Sequence, residues 1–271
     1  MNLKPHFSDI VAGIKISFAY KFDFLIFLIT APINLIIFAY LWTSIFSITG
    51  QEVIQGYTLQ TMIDYFVLSL IVSLLAWSDV DTWIEIDNIK GNIIANFLKP
   101  VKFIYHNYFF ELGLKIVGFC INIIPVLILA IPFLHLQIYS YTATAIALGS
   151  LFLASILTFM LTYIIGLTAF WLKRIQGLRR LKRASLLFLS GGIIPLSFFP
   201  VWYTYLSRFL PFEHIRYTPI NIYLGIYTTT SPWFTNIYTI LLIQIIWVLI
   251  LWYLAVKIEH HAFKKFAGAG A

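Results

Sequence analysis

The sequence predicts an all-α polytopic membrane protein with six transmembrane helices in a single domain, residues 1–271. Three observations predict it. The chain is 61% hydrophobic and 11% charged, against roughly 25% charged residues in a soluble domain, so one soluble core cannot hide its apolar surface. Its apolar residues fall in runs close to the ~20 residues that cross a bilayer core. Its basic residues gather in clusters between those runs, as the positive-inside rule requires.

The spans follow in order. Phe24–Ser47 is charge-free, Gly56–Trp77 holds Asp64, and Tyr105–Leu134 holds Glu111 and Lys115. Tyr139–Leu172 is charge-free and longer than one crossing needs. Ala184–Leu206 is interrupted by Gly191, Gly192, Pro195 and Pro200, and Thr235–Val256 is the last span. Before the first of them, Phe7, Ile10, Val11, Ile14 and Phe18 share one helical face, which predicts an amphipathic helix over Pro5–Tyr20 lying on the inner membrane surface. No amino-terminal signal peptide is evident. Of the 18 lysines and arginines, only Arg208, Arg216 and Lys115 fall away from one side. That bias and an even number of crossings put both termini in the cytoplasm.

Several classes of chemistry are not encoded. One cysteine, Cys120, makes no internal disulfide. The six histidines show no metal-ligand spacing, and His260 and His261 are adjacent, so they point apart on a helix. Neither a hydrolase nucleophile elbow nor a phosphate loop is present, so no cofactor is expected, and any ATP hydrolysis belongs to another chain. The net charge of +7 is spread as topological anchors rather than as a nucleic-acid patch.

Four polar features stand out. The connection Ser78–Lys102 carries a polar stripe, Asp81, Glu85, Asn88, Asn92 and Asn96, and an apolar stripe, Ile86, Ile89, Ile93 and Phe97. This is amphipathic helical spacing, which serves either docking into a groove on a soluble partner or a solvated interfacial helix. Asp64 in span two is functional if deep and inexpensive if near the interface. Glu111 and Lys115, four apart, read as a structural ion pair rather than a proton relay. The small residues Ser150, Ala154, Thr158, Thr162 and Gly166 make a close-packing face, within one subunit or between two. The broken span is the strongest sign of transport, because non-helical backbone is tolerated in hydrocarbon only where protein or a cavity shelters it.

The pattern resembles the ABC-2 type transporter permeases, the membrane subunits of type-2 ABC exporters. The resemblance rests on Gly56-Tyr57-Thr58-Leu59, on Gly91 to Leu98-Lys99-Pro100, on Ser190-Gly191-Gly192 with Pro195-Leu196, Phe199-Pro200, Leu210-Pro211-Phe212 and Tyr217-Thr218-Pro219, and on the tail Phe263-Lys264-Lys265-Phe266. It implies six helices and a coupling helix at Asp81–Asn96, with Asp81, Glu85, Asn88, Gly91, Asn92 and Lys99 as the ATPase-coupling residues. It also implies a re-entrant extracytoplasmic hairpin at about Phe199–Gly225, with an outer gate at Gly191, Gly192, Pro195, Phe199 and Pro200. The aromatics Phe198, Phe199, Trp202, Tyr203 and Tyr205 would close that gate, or, for Trp202 and Tyr203, sit in an interfacial belt. The implied partners are a separate ABC ATPase subunit, a second permease copy or a homologue, and membrane lipid. The implied location is the prokaryotic plasma (inner) membrane, and the implied cargo is a drug, lipid or glycan. The acidic run Asp79–Asp87 is heavier than the family pattern. An ion-gradient-driven secondary transporter is the alternative, disfavoured by the missing charged centre and missing internal repeat. A membrane-embedded lipid enzyme would need a convergent polar site, and none is evident.

Overall fold

The computed structural model describes residues 4–17, 21–93, 96, 101–124, 126–128, 138–226 and 236–269. Among these the chain is helical, with no strand. The helices are α1 (Lys4–Ser17), α2 (Lys21–Thr49), α3 (Leu59–Leu75), α4 (Val80–Lys90), α5 (Phe103–Gly118), α6 (Tyr141–Leu167), α7 (Ala169–Leu172), α8 (Gln176–Leu189), α9 (Val201–Ser207), α10 (Tyr217–Leu224) and α11 (Ile237–Ala269). Among the described residues, five stretches are long and apolar enough to cross a membrane: Ile29–Thr49, Leu59–Lys90, Phe103–Ile128, Tyr141–Leu172 and Ile237–Lys265. They carry the first four spans read from the sequence and the last.

The apolar surface is divided as a bilayer requires. On α2, Ile29, Ile33, Ile36, Ile37 and Tyr40 are exposed, while Ala31, Leu35, Trp42 and Phe46 are buried. A helix apolar on every side is a membrane span whose outward face meets lipid. Pro32 sits inside α2, as membrane helices permit. The centre of the bundle is α3 and α6, where Met62, Tyr65, Phe66, Leu157, Phe159, Met160 and Tyr163 are buried. Thr58 caps α3 through a reciprocal box with Thr61, and Ser140 caps α6, satisfying amides that a helix start leaves free. All five members of the small-residue face on α6 are buried within this chain. Ser150 meets Gln244 of α11, and a side chain on Gly166 would lie 2.9 Å from the Cα of Asp81 on α4. This face therefore packs helices within one subunit.

One expected element differs. The helix foreseen over Asp81–Asn96 ends at Lys90, because Gly91 takes a left-handed φ of +76° and closes the helix as a C-cap glycine does. The amino-terminal helix α1 runs along α5 and presents His6, Asp9 and Gly13 to it, while Phe7 from the foreseen apolar face is exposed. Asp9 pairs with His106 at 2.8 Å, and His6 packs on Phe109.

Candidate functional site

The acidic residues of α4 point into the protein. Asp81 is fully buried and Glu85 nearly so, and both meet the basic face of α8. Lys182 pairs with Asp81 at 2.7 Å and donates to the Ser78 carbonyl. Arg179 pairs with Glu85 at 2.7 Å through one nitrogen and donates to the Thr82 hydroxyl through another. The other Glu85 oxygen accepts the Ile175 amide at 3.0 Å, just before α8 begins. Asn88 donates to the Ala169 carbonyl, and Arg183 lies 3.6 Å from Asp79. The i, i+4 spacing of Asp81 and Glu85 thus meets a basic row at 179, 182 and 183 one turn apart on α8. α4 is tied to α8 through its first half and to α7 through Asn88. What α4 leaves exposed is its tip, Ile86, Ile89, Lys90, Gly91 and Asn92. Lys99 lies outside the described residues.

α8 leads to the break. It stops at Leu189, and Gly191 follows at φ +81°, a conformation that favours glycine. The freed backbone groups are satisfied from α3 and from the segment beyond. Tyr65 donates its hydroxyl to the Gly191 carbonyl at 2.7 Å, and Ser69 donates to that of Gly192. The Tyr217 amide donates to the Ser190 carbonyl, and Tyr203 donates to that of Leu189. The polar backbone groups freed by the break are thus paired inside the protein. Pro195 and Pro200 each precede a short helical turn, Leu196–Phe198 and α9, where a missing N–H is no loss. Phe198 packs edge-on to Trp42 and Phe199 lies against Tyr203, whereas Trp202 and Tyr205 are exposed. The segment returns through a turn at Glu213–Ile215 into α10, whose Asn221 accepts from the Tyr57 hydroxyl at 2.7 Å. Gln244 of α11 is fully buried and donates to the carbonyls of both His214 and Ser150, fastening this segment to the bundle.

One family model, described as ABC-2 family transporter protein, matches residues 28–270. The chain belongs to that family. No curated protein and no solved structure matches it. It is an ABC-2 type permease, a multi-pass membrane subunit of the ABC transporter class.

In this permease the remaining polar residues are held by neighbours. Asp64 is buried and accepts from Gln60 at 2.9 Å and from the Tyr139 hydroxyl at 2.6 Å. Glu111 accepts from Ser78 at 2.6 Å and pairs with Lys115 at 2.8 Å, and Lys115 also donates to Ser155. The bonds of Glu111 and Lys115 tie α5 to the connection between α3 and α4 and to α6. The sequence reading missed the α8 partners Arg179, Lys182 and Arg183, and missed Tyr57, Tyr65, Asn221 and Gln244, whose partners lie far along the chain. The alternation of basic residues on α8 against acidic residues on α4 was the available signal for the first three.

Gly192 carries a prediction of its own. A Cβ there would lie 2.1 Å from a terminal nitrogen of Arg216 and 2.8 Å from the Leu187 carbonyl. Gly192→Ala therefore displaces the Arg216 side chain and strains the end of α8. The expected cost is about 1 kcal/mol, the lower end for overpacking, since a flexible side chain absorbs part of the clash. Thermal unfolding in detergent checks it; an unchanged transition would refute the close approach.

Proposed function

We propose that the chain is the membrane-spanning permease subunit of an ATP-driven export system, one permease domain over 1–271, driven by a separate ABC ATPase. Two permeases, identical or homologous, form the conduit in a prokaryotic plasma membrane, with both termini cytoplasmic and α1 against the inner leaflet. The interrupted segment after α8 makes the sixth crossing and the re-entrant hairpin, and the cargo is an amphipathic or hydrophobic drug, lipid or glycan.

One observation carries this reading: α4 is ion-paired to α8 through Asp81 and Glu85, and α8 runs straight to the glycine break. A push on α4 therefore moves α8, and α8 moves Gly191 and Gly192. The ATPase seats the exposed tip of α4, with Ile86 and Ile89 in its groove and Gly91 and Asn92 at the rim. Asp81, Glu85 and Asn88 transmit from behind rather than touch the partner. At the far end Gly191, Gly192, Pro195, Phe199 and Pro200 form the outer gate. Each nucleotide state favours one arrangement of this lever, and that difference gives transport its direction.

Affinity purification of the full-length chain from its native membrane in mild detergent tests the proposal. A phosphate-loop ATPase should co-purify, and Ile86→Asp with Ile89→Asp should release it. Transport that survives ATP depletion and stops when the ion gradient is dissipated would overturn the reading.

A further inference from the structure

A cavity of about 170 Å3 lies between the end of α3, α6, α8 and the hairpin turn. Three cations line it: Lys182 and Arg183 from α8, and Arg216 from the turn before α10. Two of them are matched. Lys182 has Asp81, and Arg183 has Asp79. The Arg216 guanidinium makes no hydrogen bond or ion pair with any of the described residues, and its closest acidic neighbour in sequence, Glu213, is turned to the Ser207 hydroxyl and the charge of Arg208. The guanidinium reaches the cavity because Gly192 has no side chain, as the 2.1 Å approach to its terminal nitrogen requires. Most of the remaining wall is apolar, with Trp77, Leu186, Leu187 and Ile215, and Ser73 and Thr158 are among its small polar residues.

An unmatched cation inside a membrane protein is costly, and such residues serve a ligand by default. A guanidinium presents a fork of donors that fits a carboxylate or phosphate. The space holds a headgroup: a cavity of ~10–15 Å3 already admits one water, and this one is several times larger. Beside it on α8, Leu187 and Phe188 are exposed, which offers an apolar track for a tail.

We infer that this cavity binds the oxyanion headgroup of an amphiphile, a phosphate or carboxylate held by Arg216 with its tail lying along the exposed side of α8. The inference rests on the export-permease reading and adds the charge of the cargo to it. An uncharged or cationic amphiphile leaves the guanidinium unmatched and binds worse, which makes the site selective.

The test uses the full-length permease with its co-purifying ATPase in dodecyl maltoside, with thermal unfolding as the binding readout. Dodecyl phosphate should stabilise the complex saturably. Inorganic phosphate and dodecyltrimethylammonium at the same concentrations should not. Arg216→Gln should weaken dodecyl phosphate by about tenfold or more, the loss expected for one charge-assisted contact, and Arg216→Lys should recover part of it. Ser73→Phe fills the cavity from α3 while keeping every cation, and should abolish binding even if Arg216→Gln fails to fold. Equal binding by wild type and Ser73→Phe overturns the site. Inorganic phosphate acting as well as dodecyl phosphate overturns the amphiphile. An ATPase that co-purifies with a permease indifferent to dodecyl phosphate ends this inference and leaves the transport reading standing.

Discussion

Lys182→Met is expected to destabilise the permease by about 3–5 kcal/mol, the cost of breaking a buried ion pair from one side. The substitution keeps most of the side-chain volume but leaves Asp81, which has no exposed surface, without its cation. The remaining donor to that carboxylate is the Thr82 amide at 2.9 Å, and one hydrogen bond does not offset a buried charge. Adding Asp81→Asn should restore most of the stability, because a buried pair replaced on both sides is close to neutral. Thermal unfolding of the wild type, both single variants and the double variant gives the coupling free energy directly. The same four proteins separate packing from transmission. If the tie carries motion from α4 to α8, the double variant unfolds near the wild-type temperature yet loses ATP-driven transport. A stable double variant with full transport would show that the pair holds the helices together and transmits nothing.

The spans could be read from the sequence because lipid imposes a length and a composition on each helix, and those are local properties. The glycine break could be read for the same reason, since Gly191, Gly192, Pro195 and Pro200 fall together within ten residues, where a lone Pro32 leaves α2 continuous. The inward face of α4 could not. Its period was visible, but a polar stripe on a short connecting helix is ordinarily turned to water, and here Asp81 and Glu85 are turned to α8. The basic cluster from Lys173 to Arg183 was explained in full by membrane anchoring, which used up the signal that three of its members answer an acidic run. The excess acidity of Asp79–Asp87 was the trace of that pairing. Arg216 was placed on the far side by its position after the break. The hydrogen bond from Tyr217 to Ser190 folds that turn back against α8, and a contact so distant in sequence leaves no local mark. For α1, apolar periodicity selected a face with Phe7 in it, whereas close approach of two helices selects glycine.

That close approach sets the other large effect. Gly113→Ala places a methyl group 2.1 Å from the Ile10 carbonyl oxygen, and Gly13→Ala places one 2.2 Å from that of Phe110. Both neighbours are backbone, so no rotamer relieves the overlap and α1 must move off α5. Either substitution should cost about 1–3 kcal/mol, the range for forcing an extra carbon into a packed contact. Separation also breaks the pair between Asp9 and His106, so the loss belongs at the upper end. The two changes should be less than additive, because the first methyl already opens the gap that the second needs. Limited proteolysis checks where the damage lies: cleavage within residues 4–17 should rise while the rest of the chain stays protected. Gly149→Ala supplies the contrast. Gly149 lies in α6 with nothing within 4 Å of an added Cβ, so alanine there should be neutral or stabilise by up to ~1 kcal/mol through helix propensity alone. A protein that tolerates alanine equally at 113 and 149 would have no glycine-mediated seam between α1 and α5.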